Sequence, residues 1–243
     1  MDFAAVLARH PVYGRLRNEA LTTLLRASNS VRLRRTEPLW RNGEPATHFH
    51  LVAQGLIAVC GPCGHAREVL LGFAGQGDGV GEAAALVGGP HPNDAHGFAT
   101  PTVVVRIPRD LVLDLMERSG TTAMAYAMRL AELRGNAERR LQSFTRTSDA
   151  RLAELLLALC ARFGEEADPG ARLIPLKITR AQLASMVGTT VETVIRAASK
   201  WSRDGLIATL DHGIVVHDPA ALARIADVPL DQLPRLADLT RIA

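Results

Sequence analysis

The chain has 243 residues, 47% hydrophobic and 22% charged, with 28 basic against 25 acidic side chains for a net charge of +3. This excludes a disordered chain, which is poorer in apolar residues and richer in charge, and so small an imbalance names no nucleic-acid partner unless the basic residues cluster. Three cysteines, Cys60, Cys63 and Cys160, argue against a disulfide-stapled secreted domain. The start, MDFAAVLARH, shows no signal-peptide pattern. The apolar run Leu155–Ala161 is far shorter than the roughly 20 residues of a membrane span. The expectation is a two-domain cytoplasmic protein with no membrane attachment.

Residues 1 to about 30 read as helical. From about 31 to 108 short apolar runs alternate with Gly, Pro and Asn, and most of the chain's 20 glycines fall between Gly43 and Gly97. Phe49, Leu51 and Ala53 alternate with His50 and Val52; Val103, Val105 and Ile107 share one face. Period-2 runs between glycine-rich turns predict a compact antiparallel sheet or roll. From Arg109 to Phe144 there is no proline and there are many helix formers, which predicts one helix spanning about 50 Å. Ala127, Leu130, Ala137, Leu141 and Phe144 recur at three- and four-residue steps like a coiled-coil seam, with Arg134 at one seam position. The bland reading is a core helix; a helix this long between two domains is more simply a dimer spine. Thr147 onward reads as a buried-type helix, then a loop at Asp168, Pro169 and Gly170, a strand-like IPLKI, two short helices and a hairpin.

Residues 177–218 carry most of the functional signal. Thr179 is a natural helix N-cap, with Leu183 and Val187 facing inward. Gly188 suits the positive φ of a tight turn, and Thr190 caps a second helix. Helix, glycine turn, helix is the helix-turn-helix arrangement. At 100° per residue, Val194, Ala197, Ala198 and Trp201 of the second helix share an inward arc. Val191, Glu192, Ile195, Arg196, Ser199 and Arg203 share the opposite one. A solvated face has no use for both Val191 and Ile195, whereas a DNA major groove offers thymine methyls to them. Arg196 can fork onto guanine O6 and N7, and Glu192 can accept from cytosine N4. Thr179, Arg180, Thr189, Lys200 and His212 are candidate phosphate contacts, His212 from a hairpin wing. The bland alternative, a helical hairpin with a charged solvated face, accounts less well for the full order strand, helix, turn, helix, hairpin.

These stretches, ITRAQLASMVGTTVETVIR in the reader, GEPATHFHLVAQGLIAV and GQGDGVGE in the roll, and LAELRGNAERRL in the spine, resemble the Crp/Fnr family of bacterial transcription regulators. The resemblance implies an α+β chain. Residues 1–108 would form a cyclic-nucleotide-binding-like β-roll of double-stranded β-helix or jelly-roll type. Residues 109–146 would form the dimerisation helix, 147–226 a winged helix-turn-helix, and 227–243 an extension. It implies a homodimer with double-stranded DNA and RNA polymerase as partners, and no enzymatic activity. TVETVIR looks closer to the Fnr-type reader, since the cyclic-AMP type has an arginine where Val191 stands. That implies TTGA-like half-sites in an inverted repeat, although Ile195 replaces a serine of the Fnr type. The spine would hold the two reading helices one DNA turn apart, with a hinge near Ser143–Asp149.

In the family, a Gly-Glu pair, here Gly81 and Glu82, holds the ribose and cyclic phosphate, and an Arg-Ser pair further on neutralises the phosphate. Asn93 and Asp94 stand there instead, and Asp94 repels a phosphate. Asn136 stands where the cyclic-AMP type offers threonine to the adenine. Losing one charge-assisted hydrogen bond, worth about 1.5–3 kcal/mol, weakens binding more than tenfold. Cyclic AMP is therefore not the expected effector, and an effector-free regulator controlled by its own abundance is the rival within the class. The Fnr-type iron–sulfur cluster is not expected either, because residues 1–59 hold no cysteine. Haem ligation by His48 or His50 competes with the commoner reading of alternating strand histidines as surface residues. Cys60, Cys63 and His65 read as a hairpin turn, a redox pair or half a zinc site; no cofactor or metal is assigned. Cys160 reads as a core thiol. A second functional class, a small-ligand module acting through a protein partner, stays open.

Overall fold

The structure is a computed structural model and describes residues 3–63, 67–229, 232 and 236–241. The chain divides into two units, one ending at Arg134 and one covering Gly135–Arg241.

The first unit opens with helices α1 (Phe3–Arg9) and α2 (Asn18–Ala27). Strands β1 (Asn29–Leu33), β2 (Pro38–Trp40), β3 (His48–Gln54), β4 (Leu56–Cys63), β5 (Arg67–Gly75) and β6 (Gly79–Val80) follow. Helix α3 (Glu82–Val87), β7 (Asp94–Gly97), β8 (Thr102–Pro108) and α4 (Arg109–Arg118) complete the roll. The strands form two sheets, β1-β8-β3-β6 and β2-β7-β4-β5, all pairs antiparallel. This is the antiparallel roll that the period-2 runs predict. Phe49, Leu51, Val103, Val105 and Ile107 join Leu7, Leu24, Val112 and Tyr126 in a core against the helices. Val52, Val104, Trp40, Ile57 and Val80 fill a second core within the roll. Both faces of β3 are therefore covered, and His50, expected at the surface, is 6% exposed.

The single helix expected over 109–144 is two. Ser119 is extended (φ −135°, ψ 98°), and its hydroxyl accepts from the Thr122 backbone N–H at 3.3 Å, starting α5 (Gly120–Ser143) anew. At 1.5 Å per residue α5 spans about 36 Å, not 50. Its inward face carries Thr122, Ala125, Tyr126, Arg129, Leu133 and Asn136. Of the expected seam, Ala127, Ala137 and Leu141 are exposed and Leu130 is half-buried; Phe144 lies just past the helix end and is exposed. Met124 and Met128 extend the outward apolar stripe and were not in the predicted seam.

The second unit continues through α6 (Ser148–Phe163), β9 (Glu165–Asp168), β10 (Ala171–Ile174), α7 (Arg180–Val187) and α8 (Val191–Arg203). Strands β11 (Ile207–Leu210) and β12 (Gly213–Val216) and helix α9 (Pro219–Ala226) follow, with sheet order β11-β12-β10-β9. The loop expected at 168–170 is the turn of the β9–β10 hairpin, with Gly170 at φ +84°. The strand expected over IPLKI ends at Ile174, because Pro175 has no N–H to donate to a ladder. Cys160 lies buried in α6, and burial pushes its thiol up to about 12, as a core thiol requires. In the tail, a 3-10 turn (Ala237–Thr240) packs on α6, with the buried Thr240 hydroxyl accepting from Arg162 at 2.9 Å.

Trp201 is 1% exposed and anchors α8. Trp201→Ala is expected to cost about 3–5 kcal/mol in the second unit. Urea denaturation followed by amide exchange of that unit checks this; a loss below 1 kcal/mol contradicts the anchoring role.

Candidate nucleic-acid interface and roll pocket

Local chemistry explains where α7 and α8 start and stop. The Thr179 hydroxyl accepts from the Gln182 N–H at 3.1 Å, and the Gln182 side chain accepts from the Thr179 N–H at 2.9 Å. Those reciprocal bonds satisfy two of the orphan donors of the α7 N-terminus. Gly188 ends α7 at φ +63°, and a Cβ there would run into the Phe144 ring, so glycine meets both the backbone and the packing requirement. Thr190 caps α8 through the Thr193 N–H at 3.2 Å.

In α8 Val194, Ala197, Ala198 and Trp201 are buried. Val191, Glu192, Ile195, Arg196, Ser199, Lys200 and Arg203 are exposed on the other side. Val191 and Ile195 remain 36% and 49% exposed, an apolar pair that the unit itself does not cover. The Glu192 carboxyl is held below the usual carboxylate range by its own backbone N–H and the Thr190 hydroxyl. It is thus an ionised acceptor at neutral pH, suited to an amino-group donor.

The candidate phosphate contacts divide into two groups. Lys200 and His212 are exposed. Thr179 is exposed, but its hydroxyl serves the capping box. Arg180 is half-buried and donates to the Thr209 hydroxyl of β11 at 2.7 Å, fastening α7 to the wing. Thr189 is half-buried and donates to Ser148 at 3.2 Å.

Sequence reasoning missed Arg151. From α6 it donates to the carbonyls of Val187 (2.7 Å), Gly188 (3.2 Å) and Arg146 (2.7 Å), and it stacks 5.3 Å from the Phe144 ring centre. It supplies donors to the C-terminal carbonyls that α7 leaves orphaned. No spacing rule reveals this, since two of those partners lie 36 and 37 positions away.

In the roll, Gly81 and Glu82 do not face open space. Glu82 is buried between His10 Nε2 at 3.2 Å and Arg129 Nε at 3.6 Å. The Val12 N–H donates to His10 Nδ1, which leaves the Nε2 proton directed at the carboxylate. Burial works to raise the Glu82 pKa, but the proximity of His10 and Arg129 outweighs it, and the carboxyl sits below its ordinary range. The buried hydroxyls of Tyr126 and Tyr13 bond at 2.6 Å beside this triad. Gly81 takes φ +73°, with Trp40 and His91 each 2.9 Å from where a Cβ would stand. Trp40 stacks on His91 at 4.0 Å and lies 5.0 Å from the His50 ring. Asn93 and Asp94 are half-buried and occupied locally. The Asn93 carbonyl accepts from the Trp40 indole at 3.0 Å, and the Asp94 carboxylate from the Asn42 N–H at 2.8 Å. Asn136 is buried in the second unit, and its side-chain oxygen accepts from Arg139.

Cys60 is not in a turn. It is buried within β4 at a bulge, opposite Leu70, while Cys63 ends the strand and His65 lies outside the described residues. Among the described residues no group of three or more His, Cys, Asp or Glu is placed to hold a metal. Nor is any helix among them long and apolar enough to cross a membrane.

Residues 150–225 match the family described as Crp-like helix-turn-helix domain, and residues 30–119 match the cyclic nucleotide-binding domain. Together they take in the reader and the roll. The chain belongs to the Crp/Fnr family of transcription regulators. It is 27% identical over 225 residues to the CRP-like cAMP-activated global transcriptional regulator of Mycobacterium tuberculosis, covering 91% of this chain and 98% of that one. It is 26% identical over 196 residues to the fumarate and nitrate reduction regulatory protein of Escherichia coli K12, covering 80% and 77%. Among solved structures it resembles FixK2 from Bradyrhizobium japonicum, with a TM-score of 0.68 and 25% identity over 82% of this chain and 96% of that one. The DNA-binding domain of a Crp/Fnr regulator is thus the part built around α7 and α8.

The buried histidines around Trp40 make the stability of this Crp/Fnr roll pH-dependent. Burial, then the charges of His91 and Arg106, push His50 down from 6.5 to about 3. His48 and His91 are lowered as well, both chiefly by burial. The unfolded chain therefore takes up these protons first, so stability is full above about pH 6.5 and falls as pH drops toward 3. Denaturation at pH 7 to 5, followed by Trp40 fluorescence in a Trp201→Phe background, should show this loss. His50→Gln should flatten the slope by up to about 1.4 kcal/mol per pH unit. A slope unchanged by that substitution contradicts the assignment.

Proposed function

We propose that this protein is a homodimeric, sequence-specific DNA-binding regulator of the cytoplasm that recognises inverted repeats of TTGA-like half-sites. The observation that carries this is the outward face of α8, where Glu192 and Arg196 stand exposed beside Val191 and Ile195. A guanidinium and a carboxylate one turn apart suit the two bases of a G·C pair, and the apolar pair suits thymine methyls. Lys200, Ser199, Arg203 and His212 border that face and suit the phosphates, which position the reader without specifying sequence. The outward stripe Met124, Ala127, Met128 and Leu141 on α5 supports a parallel pairing of two copies. Such a pairing would set the two α8 helices about 34 Å apart, one turn of DNA. RNA polymerase is the expected further partner, and no catalytic role is assigned.

Cyclic AMP is not the proposed effector, even though the Mycobacterium tuberculosis relative is named as cAMP-activated. In the family the glutamate at the Glu82 position holds the ribose; here it is engaged by His10 and Arg129. Trp40 lies against Gly81, and Asp94 stands where a phosphate needs a cation. An iron–sulfur cluster and haem are not part of this proposal.

An electrophoretic shift on a TTGA palindrome tests the function. Tight binding is expected, weakening on the order of a thousandfold between 50 and 200 mM salt as phosphate contacts release counterions. No preference over a scrambled duplex, or a flat salt dependence, contradicts it. Leu141→Glu should shift sedimentation from dimer to monomer and weaken DNA binding in step, leaving the second unit folded. Calorimetry with cyclic AMP should show no low-micromolar binding; such binding overturns the effector proposal.

A further inference from the structure

The end of α5, the middle of α6 and the end of α7 line a partly open pocket of about 70 Å³ in the second unit, whose lining includes Arg140, Phe144, Arg151, Glu154, Leu155 and Met186. A cavity of about 150 Å³ accepts benzene, so this one suits roughly three or four heavy atoms. Two of its three charged groups are already engaged. Arg151 donates to backbone carbonyls. Glu154 is paired with Arg146 at 3.3 Å, and Arg146 also donates to the Ala226 carbonyl. Arg140 differs: it is half-buried, and among the described residues its guanidinium has no hydrogen-bond or ion-pair partner. Burial alone lowers its pKa, with no opposing charge to relieve it. A half-buried guanidinium with no protein acceptor leaves its donors to solvent or to a bound acceptor.

We infer that this cavity binds the carboxylate group of a small organic acid, the carboxylate on Arg140 and a short alkyl stem against Leu155, Met186 and Phe144. Arg146 already balances Glu154, so Arg140 and Arg151 leave the lining net positive, which suits an anion. The planar guanidinium matches a carboxylate in a two-point contact, and the apolar wall gives inorganic oxyanions nothing. The site is separate from the roll pocket, and the inference does not rest on the DNA-binding proposal.

The test uses the full-length protein with labelled methionine methyl groups, titrated with acetate, with acetamide as the neutral isostere and with inorganic phosphate. Acetate should shift the Met186 methyl saturably while Met124 and Met128 stay still. Arg140→Gln should weaken that binding about tenfold or more, the loss of one charge-assisted contact. Leu155→Phe, which fills the cavity, should abolish it and serves as the test should Arg140→Gln fail to fold. No saturable shift of Met186, equal binding of acetamide, tighter binding of phosphate, or acetate binding unchanged in both variants overturns the inference.

Discussion

The rotation of α8 about its own axis is the constraint on which the reader depends, and burial of Trp201 sets it. With Val194, Ala197 and Ala198 on the same arc, the indole leaves one low-energy way to seat the helix. Turning α8 by a quarter turn would expose Trp201 and bury Glu192 or Arg196 without partners, each a cost of several kcal/mol. The apolar face thus decides what the polar face presents. Thr190 fixes where the helix begins, and Gly188 allows α7 to stop early enough for Thr190 to do so. Arg151 then holds the same turn from beneath, through the carbonyls of Val187 and Gly188.

The roll shows a second use of inherited parts. In a family whose roll holds nucleotides, a buried glutamate is a ligand-binding group, and its negative charge needs an answer when no ligand is present. Here His10 and Arg129 answer it, so the carboxylate stays ionised inside the protein. The triad joins the segment after α1, the start of α3 and the inner face of α5, with the Tyr13–Tyr126 pair alongside. Trp40 and His91 close over Gly81. An interior arranged this way balances the Glu82 charge without a nucleotide, which accords with the proposed independence from cyclic AMP.

The antiparallel roll, the two-helix reader and the inward arc of α8 were legible because each is a local, periodic signal: alternation for strands, caps and 3.6-residue spacing for helices. The outward stripe of α5 was legible only in part. Its period is visible in the sequence, but Met124 and Met128 lie outside the expected seam, and the break at Ser119 carries no proline signal of its own. What failed were features made by distant residues. His50 reads as a surface position from its own strand, since nothing in that strand shows that Trp40 and His91 cover it. Glu82 reads as an open ligand-binding group until His10, 72 positions earlier in the chain, folds against it. Arg180 and Thr189 look like free phosphate contacts until Thr209 and Ser148 accept their hydrogen bonds. Arg151 carries no local mark of its role. Such contacts follow from topology, which periodicity does not encode.

The most direct measurement of the central claim is selection of binding sites from random duplexes, comparing the natural protein with Arg196→Ala. The natural protein should enrich an inverted repeat containing one guanine per half-site. The variant should lose preference at that guanine alone, by about 1–3 kcal/mol, while the remaining positions and the spacing persist. Enrichment of the same guanine by both proteins would show that α8 does not read DNA through Arg196, and the account of the interface would be wrong.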